Sequence, residues 1–124
     1  MCYTIIIPLY NEEKLIPQLL LELEKFSYFN QVLIINDGST DSSNKLLTRC
    51  NHITLNTLDK NYGKGYSIQT GLREAIYNKI IIFDGDLELE TNDIKKLMIL
   101  DKSKSINFVI GSRYKDKIQI NSIW

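Results

Sequence analysis

Histidine is nearly absent from this chain: His52 is the only one in 124 residues. It precedes the weakest apolar run and stands apart from every polar cluster. A Ser/His/Asp relay therefore has no placed base, and His52 reads as structural or solvated. Cysteine is scarce too. Cys2 and Cys50 form no metal-ligand spacing, which removes a zinc site. Reduced thiols of a cytosolic protein suit them better than a bridge. An excess of one charge is missing, because fifteen basic residues balance fifteen acidic ones. Bulk electrostatics thus points to neither nucleic acid nor an anionic membrane. No apolar run approaches the roughly 20 residues of a membrane span, and residues 1–9 lack the basic flank and length of a secretory signal. Neither Gly-x-x-x-x-Gly-Lys-Ser/Thr nor Gly-x-Gly-x-x-Gly occurs. No repeat, linker or low-complexity segment interrupts the chain. One soluble, cytoplasmic domain over residues 1–124 is expected, and a hydrophobic content of 44% supports a core.

What is present is an alternation of short apolar strands and helical stripes. Tyr3–Leu9 is an isoleucine-rich strand stopped by Pro8. Residues 11–26 carry Leu15, Ile16, Leu19, Leu20 and Leu23 at helical spacing, which puts Pro17 in the first turn. Residues 31–35 form a second strand. Gly38-Ser39-Thr40-Asp41 then starts a helix with Leu46, Leu47 and Cys50 on one face, capped by Asp41 or Thr40. Residues 53–58 are a weaker third strand. The loop Asn61-Tyr62-Gly63-Lys64-Gly65 opens a helix using Ile68, Leu72, Ala75 and Ile76. Lys79–Phe83 is the fourth strand. Thr91 caps a helix with Ile94, Leu97 and Met98, and residues 106–110 are a fifth strand before the tail. Such alternation predicts an α/β fold with a mostly parallel sheet and helices on both faces.

In such sheets ligands bind beyond the carboxyl ends of the strands, and the unusual polar clusters fall there. Asp84-Gly85-Asp86 follows the fourth strand. Paired carboxylates suit a hard divalent cation and its phosphates, and Asp and Gly equally suit an acidic turn. Asp37, directly after Ile34-Ile35, either meets a nucleobase N–H or ribose hydroxyl or belongs to a turn. Tyr10-Asn11-Glu12 either touches a nucleoside or is a helix start with acids placed against the dipole. Lys64 between Gly63 and Gly65 either binds an anion or belongs to a capping loop. Arg113 either meets phosphate or is a surface arginine. Tyr62, Tyr66 and Tyr77 read as packing residues.

In this order the clusters resemble the family-2 glycosyltransferases of the GT-A fold. The carriers are Ile5-Ile6-Ile7-Pro8-Leu9-Tyr10-Asn11-Glu12-Glu13, Asn36-Asp37-Gly38-Ser39-Thr40-Asp41, Asn61-Tyr62-Gly63-Lys64-Gly65, Phe83-Asp84-Gly85-Asp86-Leu87-Glu88 and Gly111-Ser112-Arg113-Tyr114. The last two look most like the polyprenyl-phosphate (dolichol-phosphate) mannosyl- and glucosyltransferase branch. The resemblance implies a Rossmann-like GT-A sheet, truncated to about the first half of a typical member, with the acceptor-binding half absent. It implies nucleotide binding by Pro8, Tyr10, Asn11, Glu12, Asp37, Gly38, Lys64, Asp84 and Gly85. It further implies Mg²⁺ or Mn²⁺ on Asp84, Asp86 and Glu88, with Asp84, Asp86 and Arg113 in catalysis. Gly85 stands where that branch has alanine, and Glu88 where it has glutamine.

The activity implied is inverting transfer of a sugar from a UDP- or GDP-linked donor. A hydroxyl acceptor requires a general base, and after Arg113 Asp116 is the one acid left. A phosphate acceptor is already anionic, so polyprenyl phosphate is the expected acceptor. A membrane-associated partner chain and a place at the cytoplasmic face of a membrane go with it. Other readings are a non-catalytic nucleotide-sugar-binding module and a sugar nucleotidyltransferase. The second would need a glycine-rich basic loop after strand one, where Tyr10-Asn11-Glu12-Glu13 is acidic. A receiver domain fails at strand five, which lacks the needed lysine.

Overall fold

Three consecutive isoleucines, Ile5, Ile6 and Ile7, form the middle of the molecule. A computed structural model describes residues 2–83 and the backbone of one later strand, Phe108–Gly111. The elements are β1 (Tyr3–Leu9), α1 (Ile16–Ser27), β2 (Gln31–Asn36), α2 (Ser43–Thr48), β3 (Thr54–Thr57), α3 (Lys64–Glu74), β4 (Lys79–Phe83) and β5 (Phe108–Gly111). The strands form one sheet in the order β3-β2-β1-β4-β5, and every described pairing is parallel. Ile5 lies beside Val32 on one side and Ile81 on the other.

All seven residues of β1 are buried, as expected of a central parallel strand covered on both faces. Successive side chains serve opposite cores. Tyr3, Ile5, Ile7 and Leu9 join Val32, Ile34, Ile81 and Phe83 against Ile16, Leu19, Leu23 and Phe26 of α1 and Leu47 of α2. Ile6, Leu33, Ile35, Ile80 and Ile82 face the other way, toward Ile68 of α3 and Ala75 just after it. Burying each large side chain contributes about 1.5–3 kcal/mol. The expected layering of helices on both faces is therefore present.

Several expected boundaries shift. Pro8 does not stop β1, which continues through Pro8↔Ile35 and Leu9↔Asn36 on the β2 side, while described pairing with β4 reaches only Ile6↔Ile82. A missing N–H is tolerated where the ladder continues on one side alone. Helix α1 starts at Ile16 rather than near residue 11, because Asn11 takes a left-handed φ of 51°. Pro17 does fall in its first turn. Strand β3 is shorter than expected. Helix α3 buries Ser67, Thr70 and Gly71 rather than the stripe through Leu72 and Ile76, which are exposed. A Cβ on Gly71 would stand 2.6 Å from Ile6 Cγ2, so the helix backbone lies directly on β1. The helix predicted after Thr91, with Ile94, Leu97 and Met98, lies outside the described residues.

The order 3-2-1-4-5 places the topological switch point between β1 and β4, whose carboxyl ends flank the ligand crevice of such sheets. Among the described residues, no helix is long and apolar enough to cross a membrane.

Candidate active site at the carboxyl edge of the sheet

The loops leaving β1 and β2 are laced together. The Oδ1 of Asn11 accepts the N–H of Thr40 at 2.8 Å and of Asp41 at 3.3 Å, and its Nδ2 donates to Thr40 Oγ1 at 3.2 Å. The Asn11 N–H donates to Ser39 Oγ at 2.9 Å, and the Glu12 N–H to Ser43 Oγ at 3.1 Å. Glu13 N–H donates to Asp41 Oδ2, and Glu13 Oε2 accepts the Ser42 N–H. The Glu12 carbonyl accepts the N–H groups of Leu15 and Ile16, which carries the chain into α1. Within the β2 loop, Asn36 Oδ1 accepts the Ser39 hydroxyl at 2.5 Å.

The cap of α2 falls on Ser42 rather than on the expected Asp41 or Thr40, and Asp41 bonds the first helical N–H from one position earlier. Its Oδ1 accepts the Ser43 N–H at 2.9 Å, and Ser42 holds the N-cap position without a side-chain bond of its own. Desolvation pushes the Asp41 carboxyl up. Hydrogen bonds from the Ser43 hydroxyl, the Ser43 and Glu13 N–H groups and its own N–H outweigh that and hold it below its ordinary value.

Asp37 lies at the end of β2, and its N–H donates to the Leu9 carbonyl of β1 at 2.8 Å. Its carboxylate reaches across to the lead-in of α3. Oδ1 accepts the Tyr62 N–H at 2.8 Å and Oδ2 the Gly63 N–H at 3.0 Å. Gly38, with φ 69°, makes room for the same segment. Lys64 is the first residue of α3, so its backbone joins the helix N-terminus beside Asp37.

The structure thus brings Pro8, Tyr10, Asn11, Glu12, Asp37, Gly38 and Lys64 to one edge of the sheet. Pro8 is buried, and Tyr10 is exposed. Asp84 directly follows Phe83, the last residue of β4. Asp84, Gly85, Asp86, Glu88 and Arg113 lie outside the described residues. Among the described residues, no group of three or more His, Cys, Asp or Glu side chains is placed to hold a metal.

Two of the three tyrosines expected to pack depart from that expectation, whereas Tyr77 is half-buried. Tyr62 and Tyr66 are exposed rather than packed inside, and they stack on each other with ring centroids 4.4 Å apart. Lys60 Nζ stands 5.2 Å from the Tyr62 ring centroid, and the Tyr62 hydroxyl donates to Asp59. Glu13 and Ser39, which the resemblance includes without a role, and Ser43, which it does not reach, act as braces between the loops. No local signal separates them from ordinary loop residues, since their partners are 28–31 positions away. His52 sits at the opposite end of the sheet, before β3, with Nε2 3.0 Å from the Leu20 carbonyl.

The sequence pattern of glycosyl transferase family 2 matches residues 4–124. This chain belongs to that family. An undecaprenyl-phosphate 4-deoxy-4-formamido-L-arabinose transferase of Proteus mirabilis is 31% identical over 123 residues, covering 92% of this chain and 37% of the relative. An uncharacterised Methanocaldococcus jannaschii protein is 30% identical, covering 96% of this chain and 49% of that one. The family 2 chain therefore spans half or less of these relatives. Among solved structures, S. aureus TarS 1–349 in complex with UDP-GlcNAc superposes with a TM-score of 0.69 at 25% identity, over 85% of this chain and 32% of TarS. The mannosyltransferase PcManGT of Pyrobaculum calidifontis, in complex with GDP-Man and Mn2+, superposes with a TM-score of 0.68 at 22% identity, over 84% of this chain and 33% of its own. The fold is the Rossmann-like GT-A fold.

Proposed function

We propose that this family 2 chain is the donor-binding half of an inverting glycosyltransferase. It takes a UDP- or GDP-linked sugar across the carboxyl ends of β1, β2 and β4 and transfers the sugar to polyprenyl phosphate. The observation that carries this reading is the convergence of the β1 loop, the β2 loop and the lead-in of α3 on the edge where β4 runs into Asp84. Similarity to a transferase named for undecaprenyl phosphate supports the acceptor class. Neighbours in complex with UDP-GlcNAc and with GDP-Man and Mn2+ support the donor class and the metal.

In this reading Pro8, Tyr10, Asn11, Glu12 and Gly38 shape the nucleoside end of the crevice, and Lys64 serves the nucleotide from the α3 N-terminus. Asp84, Asp86 and Glu88 are an all-oxygen donor set, the chemistry Mg²⁺ or Mn²⁺ prefers. A cation bound there supplies charge neutralisation to the departing diphosphate. Arg113 meets donor or acceptor phosphate. The acceptor phosphate oxygen attacks the anomeric carbon from the face opposite the diphosphate, so configuration inverts. Being already anionic, it needs no proton removed.

The test is donor hydrolysis and transfer to a short polyprenyl phosphate in Mn²⁺. Nucleotide-dependent product is expected from the full chain, with loss of transfer in Asp86→Ala. Unchanged transfer in Asp86→Ala refutes the metal role. Thermal-shift measurements with UDP, GDP, CDP and ADP name the base, because a ligand that binds only the native state raises apparent stability.

A further inference from the structure

Tyr10 is held from both sides. On one side Leu9 lies beside Asn36 in the sheet, is 5% exposed, and accepts the Asp37 N–H on its carbonyl at 2.8 Å. On the other side Asn11 turns the chain with φ 51°, and its N–H donates to Ser39 Oγ at 2.9 Å. The Ser39 hydroxyl in turn donates to Asn36 Oδ1 at 2.5 Å. Asn36 ends β2 and is fully buried, so its side chain is the fixed end of this series. One hydroxyl thus joins a buried side chain of β2 to the backbone that follows Tyr10. The Tyr10 ring, 42% exposed, leaves the sheet edge between two held residues. Aromatic stacking depends on the offset and separation of the two rings. Whatever fixes the backbone on both sides of Tyr10 therefore fixes the platform that Tyr10 offers.

We infer that Ser39 is a positioning residue, whose hydroxyl sets the backbone beyond Tyr10 and so aims the Tyr10 ring at the donor's nucleobase. The inference rests on the nucleotide-sugar reading above. It gives the β2 loop a part in holding the base that does not require touching it. A direct contact between the Ser39 hydroxyl and a nucleotide would act whether or not Tyr10 is present, whereas a positioning role disappears with the ring it positions. A hydroxyl that only supports the fold would weaken every ligand of the crevice alike, inorganic pyrophosphate included.

The experiment uses the full chain with Ser39→Ala, Ser39→Thr, Tyr10→Ala and the double variant of Tyr10→Ala with Ser39→Ala. Affinity is measured by titration calorimetry for UDP, GDP, CDP, ADP and inorganic pyrophosphate, all with Mn²⁺. Amide hydrogen exchange is followed at Asn11. Loss of the stacked ring in Tyr10→Ala should weaken the preferred nucleoside diphosphate about tenfold or more. Ser39→Ala should weaken the same nucleotide by about three- to tenfold and leave pyrophosphate unchanged. It should also speed exchange of the Asn11 amide by about two- to tenfold, the loss of one neutral hydrogen bond. Ser39→Thr keeps the hydroxyl and should restore both. Added to Tyr10→Ala, Ser39→Ala should cost nothing further. Ser39→Cys, nearly isosteric with a weaker donor and acceptor, decides the matter if Ser39→Ala does not fold. Unchanged nucleotide affinity in Ser39→Ala overturns the inference. So does an equal loss for pyrophosphate, or an undiminished loss in the Tyr10→Ala background. A wild-type chain that binds none of the four nucleoside diphosphates refutes the nucleotide-sugar reading itself, and the positioning role falls with it.

Discussion

Asn11 helps tie the loops leaving β1 and β2 together, and its contribution can be divided. Its side chain accepts the N–H groups of Thr40 and Asp41 at 2.8 and 3.3 Å and donates to Thr40 Oγ1 at 3.2 Å, while its own backbone sits at φ 51°. Asn11→Gly removes the bonds and keeps the conformation. The site is exposed, so the freed groups recover water, and each lost bond falls at the low end, about 0.5 kcal/mol. Added freedom of the glycine in the unfolded chain contributes roughly another 0.5–1 kcal/mol, for about 2 kcal/mol in total. Asn11→Ala loses the same bonds and must also hold a left-handed conformation, at about 1–2 kcal/mol. It regains about 0.4–1 kcal/mol by stiffening the unfolded chain, so it should end about 0.5–1 kcal/mol below the glycine variant. At roughly 4 °C per kcal/mol for a domain of this size, thermal unfolding followed by circular dichroism should place Asn11→Gly about 8 °C below wild type. Asn11→Ala should unfold a further 2–4 °C lower, by the same conversion. Urea titration supplies the free energies independently. A glycine variant within about 0.5 kcal/mol of wild type, below the range of even one such bond, would mean the lace contributes nothing. An alanine variant no worse than glycine would mean the left-handed conformation is not held in solution.

Further outcomes follow from other contacts. Gly71→Val should destabilise by about 1–3 kcal/mol through overpacking, because the new side chain starts 2.6 Å from Ile6 Cγ2 in a fully buried site. Urea midpoints check this, and Ile6→Ala in the same chain should recover part of the loss. Asp41, held below its ordinary value chiefly by Ser43 and Glu13 against the opposing pull of desolvation, stabilises the fold above its unfolded pKa, and that contribution is lost as pH falls through the folded value. Asp41→Asn should therefore be less stable than wild type at pH 7, with the gap closing below about pH 3.9. A gap that is constant with pH refutes the assignment. Removing divalent cations with EDTA should abolish sugar transfer and Mn²⁺ should restore it, measured by product formation. Transfer that persists in EDTA excludes a role for a cation on Asp84 and Asp86.

What a sequence shows plainly is whatever repeats locally. The strand Lys79–Phe83 is legible to the residue, and Tyr3–Leu9 is legible except that Pro8 does not stop it, because unbroken isoleucine runs mean burial on both faces, and the sheet supplies it. The placement of Pro17 in the first turn of α1 is legible for the same reason: its chemistry permits little else. The start of α1 is not, since Asn11 is held left-handed by partners 28–30 residues away, and nothing between positions 11 and 16 announces them. Helix α3 misleads in the other direction. Of the apolar stripe Ile68, Leu72, Ala75 and Ile76, only Ile68 and Ala75 pack toward the sheet, and Ser67, Thr70 and Gly71 are the buried residues, because the absent side chain of Gly71 lets the backbone settle on Ile6.

Asp37 combines both cases. Its place after Ile34-Ile35 is evident from the apolar run before it, and an acid at a strand end is a fair sign of a ligand crevice. What the pattern hides is that the two carboxylate oxygens already hold backbone N–H groups 25 and 26 residues further on. A polar residue at the mouth of a site is thus as ready to organise the site's walls as to touch what enters. Tyr10 at the β1 exit is 42% exposed and Asp37 5%, yet the Asp37 carboxylate, with about four lone-pair sites, holds among the described residues only these two N–H groups. Substituting Tyr10 should therefore alter which nucleotide binds. Substituting Asp37 should in addition loosen the Tyr62 and Gly63 amides it holds, seen as faster amide hydrogen exchange at both.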